Sequence, residues 1–402
     1  MKTLLKTDYK IPITKPFFDV EEEQAILEPL QTGWVVQGPK VAEFERLFAE
    51  YTGAKHAIAT TSCTTALHLS LLAADIGPGD EVIVPAFTWV ATANVVEYVG
   101  ARPVFCDIDL ATYNIDVNQI ESKITSKTRA ILPVHLFGLC VDMEPIMGVA
   151  ERYSLEVIED AACALGARYS GRHAGRFGLA GCFSFHPRKA ITTGEGGMVV
   201  TDRDEVARYC RTLRDHSASV SDLARHEGKQ GFLLTEFNLL GYNYRMTGFQ
   251  GALGVAQMSK LPQILEKRME RARCYDYMLE GTDTLLLPYC PDGCIHGYQT
   301  YVCLFQPETP TLNTLDELHE QRNAFMETLE ESGVITRQGT HAVHTLGYYR
   351  EKYGLEETDF PQAWIADRLS LSLPLYAQMT DEEQDYVVES LAENGRGIWN
   401  EP

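Results

Sequence analysis

Short runs of β-branched and aliphatic residues alternate with segments of helical periodicity through the first half of the chain. Four runs have the length and apolar character of buried strands, namely 56–60, 81–84, 130–134 and 156–159. Between them, apolar residues recur at helical spacing, for example over 64–74 and 142–153. This alternation predicts a largely parallel, doubly wound α/β sheet. We therefore expect functional side chains where strands end and helices begin.

The second half of the chain has a different pattern. Residues 215–241 are rich in Asp, Arg, His and Gly and lack periodic apolar positions, which predicts a long loop that serves function or an interface. A long helical pattern returns over 248–279, and shorter strands and helices follow it. We predict two domains. The large one covers residues 1–262, with an N-terminal arm and an interface loop at about 215–245, and the smaller α+β domain covers 263–402.

Composition is that of an ordinary globular protein, since 45% of the 402 residues are hydrophobic and 23% are charged. The formal net charge of -21 disfavours nucleic acid as a partner, because binding a polyanion needs clustered Lys and Arg. No apolar run reaches the ~18 residues that a membrane span needs. The N-terminus also lacks the apolar stretch of a signal peptide. We therefore expect a cytoplasmic protein without a membrane or nucleic-acid partner.

The ten cysteines lie mostly in apolar, strand-like sequence, as expected for reduced thiols in a reducing compartment. Cys290 and Cys294 form the one close pair outside this pattern, and their spacing fits a turn. Because no second Cys or His pair stands at ligand spacing, we predict no metal site.

Lys189 stands in an unusual sequence context. An aromatic run, Phe183-Ser184-Phe185-His186, leads into Pro187 and the lysine, and the glycine-rich segment 194–197 follows. This context predicts a buried strand that turns sharply into a confined loop. An amine attacks an aldehyde only when unprotonated, so a lysine with this chemistry needs surroundings that lower its pKa. Lys189 is predicted to form a Schiff base with pyridoxal phosphate, against the alternative of an ordinary surface lysine.

Three strand-to-helix junctions support this hypothesis. Asp160 ends the run 156–160, where its carboxylate can pair with a protonated pyridine nitrogen or simply cap a helix. The segment 61–67 offers hydroxyls and free amides at a helix start, which suits a phosphate, although many such turns bind nothing. Trp89 lies at the third junction, where its indole can stack on a flat ring or pack in the core.

Taken in order, these motifs resemble the DegT/DnrJ/EryC1/StrS family of pyridoxal-phosphate sugar aminotransferases. The resemblance extends over nearly the whole chain and rests on Gly33-Trp34, Gly38, the turn 62–65, Trp89, 159–162, 184–197 and Leu373-Pro374-Leu375. It implies the aspartate-aminotransferase fold, fold type I, with a mostly parallel mixed sheet in the large cofactor-binding domain and a small α+β domain. It also implies a homodimer whose active sites lie at the subunit interface.

The resemblance further implies roles for individual residues. Lys189 is expected to carry the cofactor and move protons, Asp160 to contact the pyridine nitrogen, and Trp89 to stack on the ring. The cofactor phosphate is expected to be held by the helix turn, by the strand before the lysine, and by an asparagine of the neighbouring subunit: Ser62, Thr64, Thr65, Ser184 and Asn243.

Two cysteines depart from the family pattern. Cys163 stands beside the cofactor where the family commonly has Gln or His, and a thiol cannot replace their strong hydrogen bond to the ring oxygen. Either another group makes that contact, or the ring electronics differ. Cys63 stands in the phosphate turn where glycine is frequent, which affects the expected turn geometry but not the fold.

The implied reaction has two halves. An amino donor, L-glutamate, converts the cofactor to pyridoxamine phosphate, and the amine then passes to a nucleotide-linked ketosugar. The 194–197 form Gly-Glu-Gly-Gly resembles members that aminate C4 of a 4-keto-6-deoxy sugar more than members that act at C3. C3 amination and a cofactor-binding regulatory protein without turnover stay open as alternatives. A dehydratase is disfavoured by Lys189, and a nicotinamide oxidoreductase by the lack of a Gly-x-Gly-x-x-Gly turn.

The segment 337–344 matches the family's loop with paired histidines at the sugar site. Arg337, His341 and His344 are therefore candidates to bind sugar hydroxyls or diphosphate oxygens, the arginine because its planar fork matches phosphate. The alternative is that one or both histidines satisfy core hydrogen bonds. His186 is a further substrate candidate, although strand alternation does not say whether it faces the site.

Overall fold

The computed structural model describes residues 10–219 and 235–398 of the chain. The described helices are α1 (Val20–Thr32), α2 (Pro39–Thr52), α3 (Cys63–Ala73), α4 (Ala91–Tyr98), α5 (Val117–Ile120), α6 (Met143–Tyr153), α7 (Asp204–Arg214), α8 (Gly248–Met278), α9 (Leu315–Glu331), α10 (Gly347–Tyr353), α11 (Pro361–Leu369) and α12 (Asp381–Ile398). None of them is long and apolar enough to cross a membrane.

The described strands are β1 (His56–Thr60), β2 (Glu81–Pro85), β3 (Phe87–Thr88), β4 (Arg102–Cys106), β5 (Thr128–Ile131), β6 (Glu156–Asp160), β7 (Arg168–Tyr169), β8 (Arg172–His173), β9 (Ala180–Ser184), β10 (Gly197–Thr201), β11 (Leu285–Leu286), β12 (Cys294–Ile295), β13 (Tyr301–Phe305), β14 (His341–Ala342) and β15 (Ser370–Leu373). Seven of them form the central sheet, in the order β1-β10-β9-β6-β5-β2-β4.

Within the central sheet, β10 pairs antiparallel with its neighbours β1 and β9, whereas the remaining neighbours pair in parallel. Six strands therefore run in one direction and β10 runs against them. The predicted strands at 56–60, 81–84 and 156–159 are β1, β2 and β6, which confirms the expected mostly parallel α/β sheet. The predicted long helix over 248–279 is α8.

Helices cover both faces of the sheet, so successive strand residues enter different cores. In β2, Val82 and Val84 belong to the core under α3, α4 and α7, whereas Ile83 belongs to the core under α2, α6 and α8. In β6, Ile158 belongs to the first of these cores and Val157 to the second. A sheet buried on both faces brings the carboxyl ends of its parallel strands to one edge, and the candidate site lies at this edge.

The C-terminal part has a separate core around the sheet β11-β13-β15, which α9 and α12 cover. Helix α8 connects the two parts, because Leu261 packs in the large-domain core and Tyr275 in the C-terminal one. A capping box between Thr247 and Gln250 satisfies the first amides of α8. The domain boundary proposed at 262/263 falls inside this continuous helix, at Pro262.

Candidate active site

Asp160 ends β6 and is buried. Its carboxylate accepts hydrogen bonds from the Thr92 hydroxyl at 2.9 Å and from the Ala162 amide at 3.1 Å, and the Cys63 thiol lies 3.9 Å away. Burial raises the pKa of Asp160 above its ordinary value, while the bonds from Thr92 and Ala162 and the charge of Lys189 oppose that rise. The carboxylate is therefore positioned where an additional cationic partner would stabilise its charged form.

Thr92 supports Asp160 and was missed by the sequence reasoning, which considered only Trp89 in this segment. The Thr92 hydroxyl lies 3.0 Å from that of Thr88, and both side chains are buried. Thr88 ends β3 and Thr92 lies in the first turn of α4, so the two hydroxyls form a short relay that ends on Asp160. Their spacing of four residues next to a strand end was the available signal.

Lys189 lies in the loop between β9 and β10, and its Nζ is 3.0 Å from the Cys163 sulfur. Burial alone lowers the pKa of Lys189, but Cys163, Cys63 and Asp160 outweigh it and hold the pKa above its ordinary value. The expectation that its surroundings lower the pKa was therefore wrong for this state of the chain, because the sequence did not reveal how closely the thiol and the carboxylate face the amine.

The turn at the start of α3 presents unpaired amides. The Ser62 hydroxyl accepts the Thr65 amide at 3.2 Å and the Thr65 hydroxyl accepts the Ser62 amide at 3.1 Å, a reciprocal cap. Cys63 and Thr64 are the first residues of the helix. Their amides therefore have no hydrogen-bond partner within the helix. An anion therefore finds both free amides and the positive end of the helix dipole here.

Gly197 allows this turn to lie directly on the sheet. A Cβ at Gly197 would stand 2.3 Å from the Ser62 carbonyl oxygen, so only glycine fits. Gly197 also pairs with Ser184 of β9 and with Thr60 of β1. Ser184, predicted to bind phosphate, is thus held on the strand pair beneath the α3 turn.

Trp89 and His341 come together although they are 252 positions apart in the chain. β14 pairs antiparallel with β3 and places His341 opposite Thr88. The imidazole and indole centroids are 5.8 Å apart, and the indole is 61% exposed. An indole this exposed leaves its face free for a flat ligand. The alternative that Trp89 is a core residue does not fit this exposure.

The remaining substrate candidates lie in different surroundings. Arg337 is exposed and pairs through its backbone with Ser372. His344 is fully buried against the ring of Phe360, and its Nε2 lies 3.4 Å from the Glu357 carbonyl, which fits the alternative of a core histidine. His186 is half-buried in the lysine loop, where its carbonyl accepts the Lys189 amide at 2.8 Å.

Asn243 is exposed, and its backbone forms an isolated bridge with Asp215. Its neighbours Tyr242 and Tyr244 stack on each other at 5.0 Å and pack on His68 of α3. The Tyr244 carbonyl accepts the Thr61 amide at 3.1 Å, which ties this segment to the phosphate turn. The part of the predicted interface loop over 220–234 lies outside the described residues.

Glu159 and His135 brace the strand that carries Asp160, a further feature that the sequence reasoning missed. The fully buried Glu159 carboxylate accepts the amides of Gly175, Phe177 and Gly178 at 2.6–2.7 Å. His135 Nε2 lies 2.8 Å from the same carboxylate, and its Nδ1 accepts the Val141 amide. Because Nδ1 accepts, Nε2 carries the ring hydrogen and donates it to Glu159.

A mostly parallel sheet of this order, with a lysine between β9 and β10 and an aspartate at the end of β6, defines a pyridoxal-phosphate-dependent transferase of fold type I. The sequence profile of the DegT/DnrJ/EryC1/StrS aminotransferase family matches residues 16–392, and the chain belongs to this family. By family the protein is a sugar aminotransferase.

Individual relatives agree with this assignment. The chain is 39% identical to the uncharacterised protein MJ1066 of Methanocaldococcus jannaschii, over 95% of this chain and 96% of the relative. It is 37% identical to the spore coat polysaccharide biosynthesis protein SpsC of Bacillus subtilis, over 98% and 99%. A solved structure described as the sugar aminotransferase Spr1654 of Streptococcus pneumoniae, in its PMP form, has a TM-score of 0.89 and 28% identity, covering 96% of this chain and 100% of that chain.

Proposed function

We propose that this protein transfers an amino group from L-glutamate to C4 of a nucleotide-linked 4-keto-6-deoxyhexose, with pyridoxal phosphate as its cofactor. One observation carries the proposal: the Lys189 amine lies 3.0 Å from Cys163, in the turn that directly follows the buried Asp160 at the end of β6. An amine and a carboxylate at the edge of a parallel sheet, beside a helix terminus with free amides, match the three polar ends of this cofactor.

The residues present fit the cofactor group by group. The α3 turn and Ser184 lie together on the strand pair at Gly197, which suits a phosphate held by Ser62, Thr64, Thr65 and Ser184. When bound, the cofactor supplies a protonated ring that stabilises negative charge on the substrate carbon.

Each remaining residue then has a defined task. Asp160 balances the charge of the ring nitrogen, and Thr92 orients the carboxylate through its 2.9 Å bond. Lys189 would take a proton from the substrate carbon as a base and deliver it to the cofactor carbon as an acid. The exposed Trp89 indole covers one face of the ring, and Cys163 lies beside the amine.

We further propose that a second copy of the chain completes each site with its Asn243. Exposed apolar side chains support an interface. They lie on α1, on the segments next to α1 and on the segment that precedes Asn243: Phe18, Ile26, Leu27, Leu30, Val35, Val36, Phe237, Leu239 and Leu240. Patches of this kind mark protein–protein contacts. The exposure of Asn243 leaves it available to a neighbouring subunit.

Mixing two inactive variants tests this arrangement. In a dimer of Lys189→Ala with Asn243→Ala, one of the two sites receives a normal lysine and a normal asparagine. Random mixing of the subunits is therefore expected to restore about a quarter of the wild-type activity, as symmetry of a closed dimer requires. No recovery after verified subunit exchange would show that Asn243 acts within its own chain.

His341, His186 and Arg337 are proposed to contact the sugar or its diphosphate, because none of the three is buried and His341 lies beside Trp89. His344 was a fourth candidate, and its burial assigns it a structural task instead. The preference for C4 over C3 rests on the Gly-Glu-Gly-Gly form of 194–197. The likeness to a protein named for spore coat polysaccharide biosynthesis supports a surface-glycan precursor as product.

The decisive experiment follows the absorption spectrum of the cofactor-loaded protein when L-glutamate alone is added. We expect the visible band of the bound cofactor to fade while a near-ultraviolet band grows, and a nucleotide 4-keto sugar then to restore the visible band. A visible band that ignores glutamate would favour another donor or a regulatory role, and the absence of any band would refute the assignment of Lys189. Product analysis by NMR distinguishes C4 from C3 amination.

A further inference from the structure

We infer that Lys189 and Cys163 form a proton-sharing amine–thiol pair that sets the protonation of Lys189 when the cofactor is attached. The role of the pair in cofactor attachment rests on the proposed function. The contact itself does not, because the chain makes it without the cofactor. The Nζ–Sγ distance of 3.0 Å is short enough for direct proton transfer.

The backbone on both sides fixes this contact. Cys163 lies in a tight turn after β6, in which the Ala161 amide binds the Cys182 carbonyl and the Ala164 amide binds the Ala161 carbonyl, both at 2.9 Å. The lysine loop is held from the C-terminal part of the chain, because Gln299 donates to the Arg188 carbonyl at 2.9 Å. The backbone hydrogen bonds of both loops therefore hold the amine and the thiol next to each other.

Three groups lie where they could accept the lysine proton. The groups that face Lys189 from the packed elements are Cys163, Cys63 and Asp160, and His186 and Arg188 lie nearby on its own loop. Asp160 already receives two hydrogen bonds. Burial raises the pKa of Cys63 well above its ordinary value, so that thiol stays protonated. Cys163 is left as the half-buried acceptor in direct contact.

The proton transfer is balanced and needs no oxidant. An N–H bond of the Lys189 ammonium breaks, an S–H bond forms on the Cys163 thiolate, and the amine keeps its lone pair for attack on a carbonyl carbon. The pair thus places a proton acceptor in contact with the amine, available to take up the lysine proton. It also gives a task to the thiol that stands where relatives carry a stronger hydrogen-bonding side chain.

Alkylation of the cofactor-free, full-length protein tests the pair without relying on activity. Iodoacetamide modification of Cys163 at neutral pH is followed by peptide mass spectrometry in wild type, Lys189→Met and Lys189→Arg. Without the adjacent cation we expect Lys189→Met to react about ten-fold more slowly, since an opposite charge at contact distance favours a thiolate by about that factor. Lys189→Arg keeps the charge and is expected to stay near the wild-type rate. The buried Cys210 serves as an unreactive reference.

Equal rates in all three proteins, with unchanged thermal midpoints, would overturn the inference. A second measurement follows the pH dependence of cofactor attachment in Cys163→Ala. Loss of the thiol leaves burial as the main influence on Lys189, so the midpoint is expected to move to lower pH by about one unit, and an unmoved midpoint would also count against the pair. If wild type attaches no cofactor while the alkylation pattern holds, the proposed function fails and the pair stands.

Discussion

Substituting Thr92 by Val isolates the strongest support of the Asp160 charge. The Thr92 hydroxyl donates to the carboxylate at 2.9 Å in a fully buried site, and valine keeps the shape of the side chain while it removes that donor. A hydrogen bond to a charged group contributes about 1.5–3 kcal/mol. Because about 1.4 kcal/mol corresponds to one pKa unit, the substitution is expected to raise the pKa of Asp160 by roughly one to two units.

The glutamate half-reaction, followed by the visible band of the cofactor across pH, measures this shift. Asp160 must be ionised to balance the ring nitrogen, so the rate falls as pH decreases through its pKa in the loaded enzyme. In Thr92→Val we expect this acid limb to move to higher pH by roughly one to two units. The plateau rate at high pH should change much less, because the carboxylate is ionised there in both proteins.

Thr88→Val is the matched control, since it removes the outer hydroxyl of the relay and leaves the Thr92 bond to Asp160 in place. Its acid limb is expected to shift by less than about half a pH unit, because Thr88 reaches Asp160 only through Thr92. An acid limb that stays unchanged in Thr92→Val, in a protein that still binds the cofactor, would refute the claim that this hydroxyl controls the aspartate.

Four other changes have defined outcomes. Lys189→Ala should abolish turnover while some cofactor stays bound noncovalently; substantial remaining turnover would contradict its role. Burial raises the pKa of Asp160, so the stability that it contributes is present below its ordinary pKa and is lost as pH rises through the raised one. Asp160→Asn should therefore increase the thermal midpoint of the cofactor-free protein at neutral pH and weaken cofactor binding, and a lower midpoint would contradict this. Ser62→Ala removes the α3 cap and should cost about 1 kcal/mol of unfolding free energy, and a measured cofactor affinity equal to wild type would exclude the Ser62 hydroxyl as a phosphate ligand. Glu159→Gln replaces one carboxylate oxygen with an amide donor, which faces either the Phe177 and Gly178 amides or the Gly175 amide and His135, and should cost about 3–5 kcal/mol in denaturant unfolding, whereas a near-neutral effect would mean that the carboxylate is not required.

The sequence contained most of the information about the sheet. β1, β2 and β6 begin where the apolar runs predicted, because each run is a compact strand buried on both faces. The run 130–134 was predicted too long, since β5 ends at Ile131 and Pro133 has no amide hydrogen to continue the ladder. Local pattern therefore located the strands, and backbone chemistry decided where they end.

Contacts between distant segments could not be predicted in the same way. The paired histidines of segment 337–344 look alike in sequence, yet His341 faces Trp89 and His344 packs against Phe360. Their direction depends on the pairing of β14 with β3, which no local periodicity encodes. The contact of Lys189 with Cys163 depends in the same way on two loops that only the folded sheet brings together.

The pairing of β3 with β14 also determines when the site can be finished during protein synthesis. All strands of the central sheet lie between residues 56 and 201, and α8, which covers one face of the sheet, ends at residue 278. The strand that borders Trp89 is translated much later, at residue 341. Asp160 and Lys189 are thus in place on a nascent chain whose pocket still lacks one wall. A chain that ends before β14 is therefore expected to contain the whole central sheet but to lack the strand that borders Trp89.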